Sequence, residues 1–226
     1  MALQDELDRI NRELLRALDP ADRADLAAAI ERLRMLQIVE QGLAVGDILP
    51  DFALPDADGR VVASADLLAR GPVALSFFRG PWCPYCSLAL EALGRTQPAI
   101  ERAGGSLVAV APLAAQELKR IAAERGLGFT LLSDRDGAYA QICGVRFAMT
   151  EASTALYARL AARFGLSIPG QDAVGGWELP VPATYVAGSD GVIGYTFGDA
   201  DWSRRAEPAE IVAAVERLAQ AADAAG

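Results

Sequence analysis

The chain contains no histidine, and that absence removes Ser-His-Asp and Cys-His catalysis together with the commonest zinc ligand. Cysteine is scarce as well: three in 226 residues, too few for a disulfide scaffold in a chain long enough to bury its own core. There is no basic run. With a net charge of −9, the surface disfavours nucleic acid and anionic membranes as partners. No stretch reaches the roughly 18 apolar residues of a membrane-spanning helix. The opening Met1-Ala2-Leu3-Gln4-Asp5-Glu6-Leu7-Asp8-Arg9 carries charge where a secretory leader needs apolar residues, so the expected compartment is the cytoplasm. A cysteine pair there is more often catalytic or metal-binding than structural.

What is present is a pentad, Trp82-Cys83-Pro84-Tyr85-Cys86, holding two of the three cysteines. It follows the apolar run Val73–Phe78 and precedes a helical pattern with Leu88, Ala89, Ala92, Leu93 and Ile100 on one face. A strand that ends in Cys-x-x-Cys and opens into a helix is a redox-dithiol arrangement. Free backbone N–H groups and the positive helix end stabilise a thiolate in the first turn, so a thiol of the pair is expected to ionise below the ordinary value of about 8.5. Cys83 precedes the turn and is expected to be the more exposed sulfur. A Cys₄ zinc site would need a second pair, and Cys143 stands alone. The expectation is therefore no metal and no cofactor beyond the dithiol, with Cys143 as a buried small hydrophobe or, failing that, a resolving thiol.

Along the chain, residues 1–42 read as a helical arm of two helices. Leu3, Leu7, Ile10, Leu14, Leu15 and Leu18 form one stripe, broken at Asp19-Pro20, and Leu26, Ala29, Ile30, Leu33 and Leu36 form the second. Such stripes must be covered, either by the arm's own domain or by a second copy in a homodimer. Residues 43–226 read as one α/β domain. Asp58-Gly59 predicts a hairpin, and strands 73–78, 106–111 and 129–132 alternate with helices. A helical pattern over 135–164 and a Gly- and Pro-rich loop over 165–181, including Gly175-Gly176, come next. The hairpin around Ser189-Asp190-Gly191 precedes a last helix opening at Glu207-Pro208. Trp177 and Trp202 are expected in core or rim packing.

Three blocks together resemble the peroxiredoxin-like (AhpC/TSA) branch of the thioredoxin superfamily over about residues 43–220. They are Val45-Gly46-Asp47 with Pro50–Asp56, the Trp82–Cys86 pentad, and Val181-Pro182-Ala183-Thr184-Tyr185-Val186 with Asp190-Gly191. The resemblance implies a thioredoxin-like fold: a central mixed β-sheet flanked by helices, here with an N-terminal helical extension. It implies a cis-proline at Pro182 near the reactive sulfur. It also implies a thiol-dependent peroxidase. Cys86 takes the peroxidatic position, and Cys83, where relatives carry a hydroxyl residue, resolves the product as a Cys83–Cys86 disulfide. Arg79 replaces a proline of the family pattern. The family's arginine near Pro182 is missing from that position. With Trp82 as a shield, Arg79, Trp82 and Pro182 form the expected substrate-side set. Asp201-Trp202-Ser203-Arg204-Arg205 with Glu207-Pro208 looks like a mark of an atypical group. Implied partners are a hydroperoxide and a thioredoxin-type or glutathione donor. Two rival readings remain at this stage: a disulfide reductase attacking through Cys83, and a redox sensor or cluster-binding module.

Overall fold

The computed structural model describes residues 2–168 and 177–225. Helix α1 (Leu3–Ala17) and helix α2 (Pro20–Met35) meet at Asp19, whose carboxylate accepts from the Asp22 N–H at 2.9 Å and caps α2, with Pro20 in its first turn. The hairpin is β1 (Ala53–Pro55) antiparallel to β2 (Val61–Ala63), followed by the short α3 (Ser64–Leu68). Then come β3 (Val73–Phe77), α4 (Pro84–Arg102), β4 (Ser106–Ala111), α5 (Ala115–Arg125) and β5 (Thr130–Ser133). The chain continues through α6 (Ala138–Ile142), β6 (Arg146–Ala148), α7 (Glu151–Phe164), β7 (Glu178–Pro180), β8 (Ala183–Ala187), β9 (Ile193–Gly198) and α8 (Pro208–Ala225).

The central sheet has the order β5-β4-β3-β8-β9, parallel on the first three strands and antiparallel from β3 through β8 to β9. It is the thioredoxin-like mixed sheet. Strand β3 lies in its middle and is buried at every residue, which explains why it reads as an unbroken apolar run rather than an alternating one. Two apolar layers flank the sheet. Leu75, Phe77, Val108, Val110 and Leu132 point to one face, and Ala74, Ala109 and Leu131 to the other, under α4 and α8.

Three expectations are corrected. The helical pattern over 135–164 is interrupted, because β6 pairs antiparallel with β7 between α6 and α7. Periodicity read over that window averaged two short helices across Gly144, which sits at φ +72° with its Cα packed onto Gln41 and Gly42, leaving no room for a side chain. Within the 165–181 stretch, Glu178–Pro180 form strand β7 rather than loop, while 169–176, with Gly175-Gly176, lie outside the described residues. The Val181–Pro182 bond is trans. Chain runs straight from β7 into β8 here, with the Val181 N–H held on the Val145 carbonyl at 2.7 Å, so there is no tight turn to impose the rarer isomer.

The helical arm packs on its own chain: α1 lies against α4 and α2 against α7. Leu3, Leu7, Leu18, Leu26 and Leu33 are buried there. Glu207, just before α8, accepts from the free N–H groups of Leu3 (3.0 Å) and Gln4 (2.8 Å), so a carboxylate sits on the positive end of α1. Arg159 of α7 reaches Asp22 and Asp25 of α2 at 2.9 and 2.6 Å. No helix among the described residues is long and apolar enough to cross a membrane.

Candidate active site

Strand β3 delivers the chain to Phe78, whose N–H still bonds the Val110 carbonyl, and the backbone then turns through Arg79-Gly80-Pro81-Trp82. Gly80 adopts φ +153°, and a Cβ built on it would stand 2.5 Å from the Trp82 Nε1. Only glycine lets the indole fold back over the loop. Cys83 is the N-cap of α4, its carbonyl taking the Ser87 N–H at 3.1 Å, and Pro84 occupies the first helical position. Cys86 is therefore in the first turn, facing inward.

Both sulfurs are buried, Cys83 at 1% and Cys86 at 0% exposure, so neither is open to solvent. The arm and the aromatic side chains around Arg79 cover Cys83. Arg79 is not a surface charge but 2% exposed, boxed by Trp82, Tyr157 and Trp202 with its guanidinium carbon 5.0, 5.6 and 4.8 Å from their ring centroids. Its Nη1 donates to the Tyr157 hydroxyl (2.8 Å), its Nη2 to Cys83 Sγ (3.4 Å), and its backbone N–H to Cys86 Sγ (3.5 Å). Trp177 closes the box, 5.6 Å from Trp82 and 5.5 Å from Tyr157.

The second cation was not identified from the sequence. Arg205 Nη2 donates to Cys86 Sγ at 3.3 Å. It arrives on the loop before α8, folded by the Asp201 carboxylate, which accepts from the Ser203 N–H (3.0 Å) and hydroxyl (2.7 Å). Arg205 Nη1 is pinned by the carbonyls of Trp202 and Arg204. The Asp201–Arg205 block thus brings a buried guanidinium to Cys86. Two adjacent arginines made the block visible, but only burial separates them: Arg204 is exposed and Arg205 is not. Tyr157 carried no sequence signal beyond an apolar helix position. Pro182 is buried at the start of β8 and lines neither cavity that borders Arg79.

Burying two guanidinium groups is costly unless an anion compensates. Neither Arg79 nor Arg205 forms an ion pair with a carboxylate among the described residues. The available anion is a thiolate. Burial by itself pushes the Cys86 thiol up. It is outweighed by the hydrogen bond from Cys83, the charges of Arg205 and Arg79 and the Arg79 N–H, which together hold it well below the ordinary thiol range. Cys83 goes the other way, raised by burial and by the Cys86 charge beside it. Only one of the pair is lowered: adjacent sulfurs in a dry site cannot both be anions, and the one nearer the donors takes the charge.

Cys143 is buried at the end of α6, and burial pushes its thiol up to about 12. No group of three or more potential metal ligands occurs among the described residues.

The sequence pattern of the AhpC/TSA family matches residues 45–196. Peroxiredoxin Bcp of Escherichia coli K12 is 33% identical over 101 residues, 45% of this chain and 62% of that protein, so the chain spans under two thirds of the length of this curated relative. Among solved structures, Peroxidoxin BcpB from Mycobacterium tuberculosis superposes with a TM-score of 0.60 at 20% identity, covering 78% of this chain and 98% of that one. The thiol peroxidase from Chromobacterium violaceum gives 0.57 at 19%, covering 80% and 89%. These likenesses show the shared fold, whereas the sequence match covers well over half of the chain and includes the dithiol. The chain belongs to the AhpC/TSA family.

Proposed function

We propose that the chain is a thiol-dependent peroxidase in which Cys86 attacks and Cys83 resolves. The observation that carries this reading is the pair of buried, carboxylate-free arginines whose donors meet at the two sulfurs. The Cys86 thiolate attacks the outer peroxide oxygen, the O–O bond breaks, and that oxygen stays on sulfur with its proton as a sulfenic acid, while the alkoxide leaves and takes a proton from water to become the alcohol. Arg79 and Trp82 hold the peroxide side of the site, and Arg205 stabilises the attacking anion. Because Cys86 is fully buried, peroxide enters only when the side chains over it part, which favours small substrates. With the Cys86 charge gone, Cys83 gives up its proton as it attacks the sulfenic sulfur; that proton leaves with the hydroxyl as water and the Cys83–Cys86 disulfide forms. A thiol donor, of thioredoxin type or a low-molecular-weight thiol such as glutathione, restores the dithiol by exchange.

In this reading residues 1–42 are an arm appended to a thioredoxin-like domain of residues 43–226, working in the cytoplasm where thiol donors are abundant. A homodimer would use the apolar side chains left exposed at the end of α2, Met35 and Leu36.

Mass spectrometry after limiting hydrogen peroxide tests the assignment. Cys83→Ser is expected to accumulate sulfenic acid on Cys86, whereas Cys86→Ser leaves Cys83 unoxidised. Oxidation of Cys83 in the absence of Cys86 would instead make this a disulfide reductase.

A further inference from the structure

A cavity of about 660 Å³ lies between α1, α4 and α7. That is a small-molecule volume, too small for a folded partner. Its walls include Ile10 and Leu14 of α1, Leu88 of α4 and Leu160 of α7. Ile10 and Leu14 belong to the leucine stripe of the arm, yet they stay half-buried where Leu3 and Leu7 are covered completely. Residues 1–42 precede the stretch that matches the family pattern, so the α1 wall lies outside the matched region. Two charged species line the cavity. Glu13 and Glu91 are at its solvent side, 59% and 42% exposed, and Arg79 is buried beside the sulfurs with its Nε unpartnered among the described residues.

Cys83 lines this cavity and Cys86 does not. A molecule inside it therefore meets the resolving sulfur. We propose that the cavity is the electron-donor site and takes an uncharged alkyl thiol or dithiol, which attacks Cys83 of the Cys83–Cys86 disulfide. The inference rests on the dithiol cycle proposed above and narrows its donor. The donor thiolate forms a bond to Cys83 Sγ, the Cys83–Cys86 bond breaks, and Cys86 departs with the electron pair as a thiolate held by Arg205 and Arg79. A second thiolate, from the same dithiol or a second molecule, then attacks the donor sulfur of the mixed disulfide. It releases Cys83, which takes a proton, and the donor leaves as its disulfide. The direction is chemically favoured, since the sulfur that best carries negative charge is the better leaving group. While reduced, Cys83 is protonated and a poor nucleophile, so a ligand in the cavity reacts with it in the oxidised state. The apolar walls disfavour glutathione, which carries two carboxylates, whereas Glu13 and Glu91 at the solvent side are already paired with Arg9 and Arg125.

The test uses the full chain oxidised with diamide, its Cys83–Cys86 disulfide verified by mass, and reduction followed by tryptophan fluorescence. Ethanethiol, butanethiol and hexanethiol share nearly the same sulfur reactivity, so differences between them read binding. The rate should climb with chain length, since each methylene is worth about fourfold when fully buried, and reach at least about tenfold from ethanethiol to hexanethiol. The charged 6-mercaptohexanoate, glutathione and a thioredoxin should all be slower than hexanethiol. An acid-quenched adduct should sit on Cys83. Leu14→Trp, which fills the cavity from the arm, should reduce the chain-length gain to less than about threefold. Leu88→Trp does the same from α4 if the first variant folds poorly. A flat chain-length series, a gain that survives both substitutions, or faster reduction by thioredoxin overturns the proposal. If the series behaves as expected but peroxide is not consumed, the peroxidase reading fails and the donor site stands. If no disulfide forms with diamide, both fall.

Discussion

Cys86 and Cys143 are both fully buried and both lie at a helix end, yet their thiols are displaced in opposite directions. At Cys143, which closes α6, burial raises the thiol and the nearby Asp134 charge adds to it, outweighing the hydrogen bond with Tyr139, and no guanidinium charge offsets them. Cys86 is in the first turn of α4, where the backbone of Arg79 and two guanidinium groups point at it. Depth is common to the two sites, so depth does not decide reactivity. The sign of the charge buried with the sulfur does, and a dry environment enlarges whichever effect is present.

The comparison breaks most sharply at Arg205. Arg205→Met should move the midpoint of the pH–rate profile for peroxide up by about one to three pH units, so that at pH below the native midpoint the reaction slows by roughly 10- to 1000-fold. The exposed neighbour variant, Arg204→Met, should stay within about twofold of the wild type in stopped-flow measurements. Equal losses in both would mean that net charge, not the Arg205–Cys86 contact, activates the sulfur.

A smaller effect is expected at Gly80. Gly80→Ala drives a methyl into the Trp82 indole in a backbone region that side chains avoid, costing about 2–3 kcal/mol in urea unfolding. A neutral result would show that the loop relaxes freely and that the aromatic box is not rigid.

The subtlest difference lies in pH. Cys86 has a lowered native value, so it stabilises the reduced protein fully above the ordinary thiol value near 8.5, and this contribution is lost as pH falls through the native value. Cys143 has a raised value, so its contribution is full below about 8.5 and is lost as pH rises toward about 12. Urea midpoints of Cys86→Ser and Cys143→Ala should therefore diverge from the wild type in opposite pH windows. Coincident profiles would deny the contrast.

Much of the fold was legible because its signals are local. The breaks at Asp19-Pro20 and Asp58-Gly59, the unbroken apolar β3, and the strand–Cys-x-x-Cys–helix order each follow from a few adjacent residues. Short elements were not: β6 and β7 find their partners across 30 residues, and neither has three turns of helix or a full alternating strand to announce it. The isomer at Pro182 followed from family likeness and not from local chemistry, and the β7–β8 run set it otherwise.

At the site, the cysteines, Arg79 and Trp82 were identified because they are contiguous. Which thiol ionises was not, because the answer depends on Arg205, 119 positions away, and on Tyr157, 78 positions from the Arg79 it holds. Amino-acid sequence alone determined the helix start that carries the dithiol, the scarcity of other reactive groups and the apolar stripe of the arm. Tertiary structure decided which sulfur holds the charge, that both are shut from solvent, and that part of the stripe walls a cavity beside Cys83. The physical reason is range: propensity and capping act within a turn or two of chain, whereas burial and the charges buried with a group are properties of whatever the fold brings alongside it.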